Sequence, residues 1–258
     1  MGKAKRWSLG RGSALALPQG RNAMVLVLTW AASGVDAISY LGLGHVFTAN
    51  MTGNTVLLGL AIGQGQGLAA LRSIIALVGF AVGAALGAVI VEKGTHPVDW
   101  PATVTRAMWM EGIILAVFGV TWHSGVRNGA ILYALITLSA LAMGIQSAAI
   151  RHLKVPGVAT TYITGTLTSM VAEFTTRLYR WRLSPLAADP TGQSAALDVP
   201  QAPRHHGGRL QALVVLVYIL AAVVSAFLQS RHSRLVTLSP LVAVGLVVLN
   251  ASLRRRRK

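Results

Sequence analysis

The sequence has no cysteine. Disulfides, thiolate catalysis and cysteine metal sites are excluded, and nothing follows about compartment. Charge is scarce as well. Asp, Glu, Lys and Arg make up 12% of the 258 residues, against about a quarter in soluble proteins. Acidic residues are the scarcest, 7 against 23 Lys and Arg. There is no Gly-rich phosphate loop, His-Glu-x-x-His zinc motif or Gly-x-Ser-x-Gly elbow. Those gaps argue against an ATP-driven pump or a familiar hydrolase within this chain. The expectation is a protein that is not an enzyme, with no cofactor and no metal.

In place of charge there is apolar mass. Hydrophobic residues make up 53% of the chain, glycines number 27, and the mean hydropathy is +0.59. Glycine is more frequent in membrane helices than in soluble ones. A net charge of +16 would suggest nucleic acid in a soluble chain. Here no aromatic-basic module or helix-turn-helix pattern accompanies it. The basic residues cluster in the tails and at the ends of apolar segments, which points to cytoplasmic loops and anionic lipid headgroups. No nucleic-acid partner is expected.

A membrane span needs about 20 mostly apolar residues. Six segments qualify: 23–43, 73–91, 104–122, 129–150, 210–228 and 235–251. The predicted fold is an all-α polytopic transmembrane bundle of about six spans. Two further stretches, 50–62 and the Thr-rich 157–178, are each read as a re-entrant or broken helix, or as a full crossing that would raise the count to eight. With six spans, 19 of the 23 Lys and Arg fall on the side of the N-terminus; with eight, 17 do. Either count puts both termini in the cytoplasm and leaves the number of spans open.

The predicted organisation is a basic cytoplasmic tail at 1–22, a first membrane repeat at 23–128, a second at 129–251, and a basic tail at 252–258. Within the second repeat, 183–208 carries Pro185, Pro190, Pro200 and Pro203 and reads as a disordered cytoplasmic linker. The pair His205-His206 in that linker has no spaced partner to complete a metal site.

The two repeats share a pattern. In the first, Gly34, Asp36 and Ser39 are followed by Asn50-Met-Thr52-Gly53-Asn54. In the second, Gly144 and Gln146 are followed by Thr160, Thr161 and Thr164-Gly165-Thr166. The glycines are 19 residues apart in the first and 21 in the second. Three spans per half would invert one half against the other, a recurring transporter plan with its site near the midplane. Full crossing by the short elements would make the halves parallel.

The run Asp36-Ala-Ile-Ser-Tyr-Leu-Gly-Leu-Gly-His-Val-Phe-Thr-Ala-Asn50-Met-Thr-Gly-Asn54-Thr-Val-Leu-Leu-Gly59 resembles the signature of the YoaK family. These are bacterial membrane proteins of unknown function, usually given six spans and sometimes labelled small-metabolite exporters. The resemblance covers about 23–251 and includes the later Thr-Gly-Thr element. It implies a six-span membrane protein and little about mechanism.

Asp36 is the leading functional candidate. It lies 13 residues into the first span, or about 20 Å along a helix. A carboxylate at that depth must face a bundle interior or a wet cavity, as a proton carrier or as a cap for the broken helix. Asn50, Thr52, Gly53 and Asn54 would cap the short helix or offer its amide ends to an anion. Ser39, Gln146, Thr160, Thr161, Thr164, Gly165 and Thr166 would line the facing side of a substrate or ion pathway. Glu111 is read as structural, near Arg106, and Glu173 as an (i, i+4) partner of Arg177. Trp100, Trp109, Trp122 and Trp181 fit interfacial anchors. His45 fits a polar anchor at the interface. Gly79, Gly83 and Gly87 form a small-residue face for close helix packing, within the chain or in a homo-oligomer.

The function expected is a secondary transporter or exporter of an unidentified small polar metabolite, proton-coupled through Asp36. A channel or passive facilitator, a membrane scaffold or subunit, and a lipid-acting enzyme are the alternatives.

Overall fold

A computed structural model describes residues 20–92, 100–125, 129–155, 160–161, 163–183 and 208–256. Most of the basic N-terminal tail and almost all of the expected linker, with His205 and His206, lie outside the described residues. The described residues form eight helices: α1 (Arg21–Gly42), α2 (Met51–Gly63), α3 (Gly67–Glu92), α4 (Ala102–His123), α5 (Gly129–His152), α6 (Thr164–Leu183), α7 (Gly208–Arg231) and α8 (Leu238–Arg256). Five of them, α1, α3, α4, α5 and α7, are long and apolar enough to cross a membrane. The sixth expected span forms as α8. Without water in the bilayer core, each segment must satisfy its own backbone groups, and the helix does so.

The contacts fix the helix directions. The ring of Trp122, at the end of α4, lies against Gly42, at the end of α1, so those helices run together. Gly79 faces Thr137 and Ala140, Gly83 faces Leu141, and Gly87 faces Ile145 and Ala148, so α3 and α5 also run together. Gly112 meets Val244 and Gly119 meets Thr237, so α4 and α8 are opposed. The Trp30 indole donates to Ser239 at 2.8 Å, and Gly20 lies beside Arg254, which opposes α1 to α8 and puts the start of α1 and the end of α8 at one face. Gln146 reaches Leu28, while Ile38 shares a cluster with Leu135 and Ile136, so α1 and α5 are opposed. If α2 crossed fully, α1 and α4 would run in opposite directions. The structure therefore decides a point the sequence left open: α2 is re-entrant.

The packed pairs are α3 with α5, α1 with α7, α4 with α5, α2 with α3, α1 with α8, α4 with α8, α6 with α7, α3 with α4, and α1 with α5. Hydrophobic burial does not drive helices together in lipid, so close approach of small residues must. The expected glycine face supplies it inside the chain, between α3 and α5. A Cβ at Gly83 would overlap the Leu141 carbonyl, and one at Gly144 the Phe80 carbonyl.

The outer surface is apolar. Val78, Val120, Phe174, Ile219, Val223 and Leu246 are all more than a third exposed. A soluble monomer rarely shows a continuous apolar surface of this kind. The Trp anchors divide. Trp109 is 56% exposed, but Trp122 is buried at 3% and donates its indole N–H to the Ser233 carbonyl at 2.8 Å. The expectation for Trp122 is corrected: it is a core residue closing the end of α4. The side chain of Trp181 lies outside the described residues.

Candidate functional site

The site begins where α1 stops. Gly44 at φ +86° and His45 at φ +61° adopt the left-handed conformation and turn the chain back. Glycine does this without strain. His45 stands exposed, edge-on to Tyr40 with ring centroids 5.1 Å apart. The Arg72 guanidinium covers the turn and donates to the Gly44 carbonyl at 3.4 Å.

The returning chain descends to Asp36, six residues before the end of α1, or about 9 Å along the helix. One carboxylate oxygen accepts three consecutive backbone amides: Thr48 at 2.9 Å, Ala49 at 2.7 Å and Asn50 at 3.3 Å. The other accepts the Tyr218 hydroxyl of α7 at 3.1 Å. Asp36 is 4% exposed. Such charge-assisted bonds are shorter and stronger than neutral ones. This carboxylate is a clamp joining α1, the re-entrant turn and α7. Ser39 turns inward and bonds the carbonyl of Asp36 at 3.0 Å.

Asn50 then caps α2, accepting the Gly53 amide at 3.2 Å. Asn54 is fully buried and grips both backbone groups of Phe47, accepting its N–H at 3.0 Å and donating to its carbonyl. Gly53 is required by packing, since a Cβ there would stand 2.9 Å from the Phe47 ring. Thr52 points outward and joins none of this.

A second polar group, made of neutral side chains, lies between α5 and the start of α6. The Gln146 amide donates to Thr160 at 3.1 Å and to the Leu28 carbonyl of α1 at 3.0 Å. Ser147 meets Thr161 at 3.2 Å. Thr160, Thr161 and Thr166 are buried, but Thr164 and Gly165 are exposed. The helix begins at Thr164, later than the expected 157, and continues to Leu183.

The expected constellation is thus brought together in two groups rather than one. Asp36 gathers Ser39 and 48–50, and Gln146 gathers Thr160. Leu28, Ala31, Ala32 and Val35 of α1 and Ala142, Met143 and Ile145 of α5 pack the core to which both groups belong. Thr52, Thr164 and Gly165 face away. Glu111, expected to face the interface or to pair with Arg106, does neither: it is buried, Arg106 is exposed, and among the described residues the one ion pair joins Arg177 to Glu173. Those residues hold no group of three or more His, Asp or Glu that could bind a metal.

Two participants escaped the sequence reading, Tyr218 and Ser33, whose hydroxyl donates to the Tyr218 carbonyl at 2.6 Å. A signal existed for the tyrosine. It sits in the middle of an apolar span, where aromatic residues with polar tips usually mark the ends, and a buried hydroxyl needs a partner.

An all-helical bundle with an apolar exterior, interrupted helices and buried polar clamps is a polytopic integral membrane protein. The chain belongs to the family described as "Protein of unknown function (DUF1275)", whose profile matches residues 24–252. It is similar to the UPF0700 transmembrane protein YoaK of Bacillus subtilis (strain 168), with 33% identity over 234 residues, covering 91% of this chain and 95% of that protein. No solved structure matches it.

Proposed function

We propose that this protein is a secondary transporter of a small polar metabolite in a bacterial inner membrane, built from two inverted halves, α1–α4 and α5–α8, with both termini cytoplasmic. One observation carries the reading. Exchanging the halves turns α1 with α7 into α5 with α3, α2 with α3 into α6 with α7, and α1 with α8 into α5 with α4, while α4 with α8 and α1 with α5 map onto themselves. Among the described residues, α3 with α4 is the one pair of this set whose counterpart, α7 with α8, is not in it. The opposed directions of α1 and α5 are those of an inverted repeat. Asp36 and Gln146 take corresponding places, each holding the chain that leads into the helix after its own.

Inverted repeats with interrupted helices recur in transporters that alternate access by moving one half against the other. The packed core fits that plan better than a permanently open channel. Charge supports the orientation. Arg21, Arg106, Arg151, Lys154, Arg209 and Arg254 stand toward the face with the chain ends, while Arg72, Arg231 and Arg234 stand toward the other. The basic face suits anionic headgroups.

The test is flux in proteoliposomes under a pH gradient, with a panel of amino acids, sugars, organic acids and amines. At least one compound should be carried in a saturable way, and Asp36→Ala should abolish its movement. Folded wild-type protein that moves none of them would sink the reading, and large uncoupled currents would establish a channel instead.

A further inference from the structure

Glu111 belongs to neither clamp. It is the tenth of 22 residues in α4, about 15 Å from the helix start. It is 0% exposed, and neither of its carboxyl oxygens has a hydrogen-bonding partner. Asp36, the other acid buried within a span, is met by four donors. The two carboxyl groups therefore sit in opposite chemical situations.

The helices packed on α4 are α3, α5 and α8. Their titratable and charged residues, Arg72 and Glu92, Tyr133, Arg151 and His152, and Arg254, all lie near helix ends. On α4 itself, Arg106 is exposed and His123 stands in the last turn. Among the described residues the buried charged side chains are Asp36 and Glu111. A turn to either side of Glu111, Met108 and Leu115 belong to the same apolar cluster as Ala142, Met143, Val244 and Val247.

A carboxyl group without donors in such a place must lose its charge or share it. Metal cations of the hard kind take about six or more oxygen ligands, and among the described residues no group of three or more His, Asp or Glu could hold one. A proton needs one oxygen. We propose that Glu111 is a proton-binding site at the centre of the bundle, protonated at neutral pH, and that it is the carboxyl group free to exchange protons with the substrate. The first part stands alone; the exchange rests on the transport reading.

Access is short. A groove of about 570 Å³ between α4 and α8 is lined by Met108, Gly112, Val244 and Gly245, among others. Gly112 adjoins Glu111 and contributes no side chain to the wall. An apolar carbodiimide, which reacts with protonated carboxyl groups, can approach from the lipid phase along it.

The experiment uses the full chain in lipid nanodiscs at neutral pH. Dicyclohexylcarbodiimide should leave its adduct on Glu111, located by mass spectrometry of the digest, with Asp36 unmodified and Glu111→Gln unlabelled. Infrared spectra should show a protonated-carboxyl band that Glu111→Gln removes and Asp36→Asn retains. A wild-type spectrum without that band would overturn the site, whether or not the reagent reaches it. In proteoliposomes, Glu111→Gln should lose at least tenfold of the pH-driven flux. A band assigned to Glu111 with undiminished coupled flux would leave the proton site standing and reject its exchange role. A wild type that shows the band and carries no solute would reject the transport reading alone.

Discussion

At the scale of single residues, the protein turns on what meets a buried polar atom. Asp36 has four donors, and removing their acceptor leaves three consecutive amides unpaired in an apolar interior. Each buried unpaired group costs about 1–3 kcal/mol. Asp36→Ala should therefore lower the thermal unfolding midpoint in detergent far more than Asp36→Asn, which keeps one carbonyl oxygen for the amides. Equal midpoints for the two variants would contradict the clamp. Tyr218→Phe removes one bond to the carboxylate and should cost about 1.5–3 kcal/mol, read in the same thermal assay. Glu111 illustrates the converse. Glu111→Gln removes a carboxyl group that no donor meets, so its effect on the unfolding midpoint should be smaller than that of Asp36→Ala.

At the scale of elements, contact between backbones decides what substitutions α3 and α5 tolerate. Gly83→Ala and Gly144→Ala each place a methyl group inside a neighbouring backbone. Overpacking of this kind costs about 1–3 kcal/mol, occasionally more. Gly59→Ala is the control, since nothing lies within 4 Å of its Cβ position and alanine favours a helix over glycine by about 1 kcal/mol. Thermal unfolding should rank the variants Gly59→Ala at or above wild type, then Gly83→Ala and Gly144→Ala well below. The sequence pattern of Gly79, Gly83 and Gly87 announced a packing face. It did not say which helix would meet it, because small-residue spacing encodes closeness of approach and not the identity of the partner.

At the scale of the whole molecule, the clearest prediction concerns topology. The protein contains no cysteine, so single cysteines can be introduced into an otherwise silent background. Gln66→Cys, in the turn between α2 and α3, and Ser124→Cys, after α4, should react with an impermeant thiol reagent from the same side of sealed cells or vesicles. Lys154→Cys, after α5, should react from the opposite side. Gln66→Cys and Ser124→Cys share a side whatever α2 does, because α3 and α4 lie between them. His45→Cys, in the exposed turn after α1, reports on α2: it should label from the same side as Gln66→Cys, and would label from the opposite side were α2 to cross fully. The same experiment checks the orientation, because the positive-inside rule puts Lys154 in the cytoplasm.

Much of this architecture was legible in composition and pattern. Each of the six apolar segments forms a helix whose ends fall within about six residues of the expected bounds, because a bilayer demands internal backbone hydrogen bonding over a fixed thickness. Gly34, Asp36, Asn50, Gly53 and Asn54 stood out because polar groups in apolar surroundings need partners. The partners themselves were out of reach. Asp36 meets Tyr218 across 182 residues and Gln146 meets Leu28 across 118, and no local pattern carries such distances. The re-entrant course of α2 was equally hidden. Its apolar composition suits a partial or a full crossing, and the choice was made by the Asp36 carboxylate gathering the amides of 48–50 back into the bundle. The sequence by itself determined that this chain lives in a membrane and which stretches form helices, since lipid acts on each segment locally. Tertiary structure alone decided which segments turn back, which polar groups are satisfied, and that Glu111 is left without a donor, because those outcomes depend on what distant helices bring to the same point.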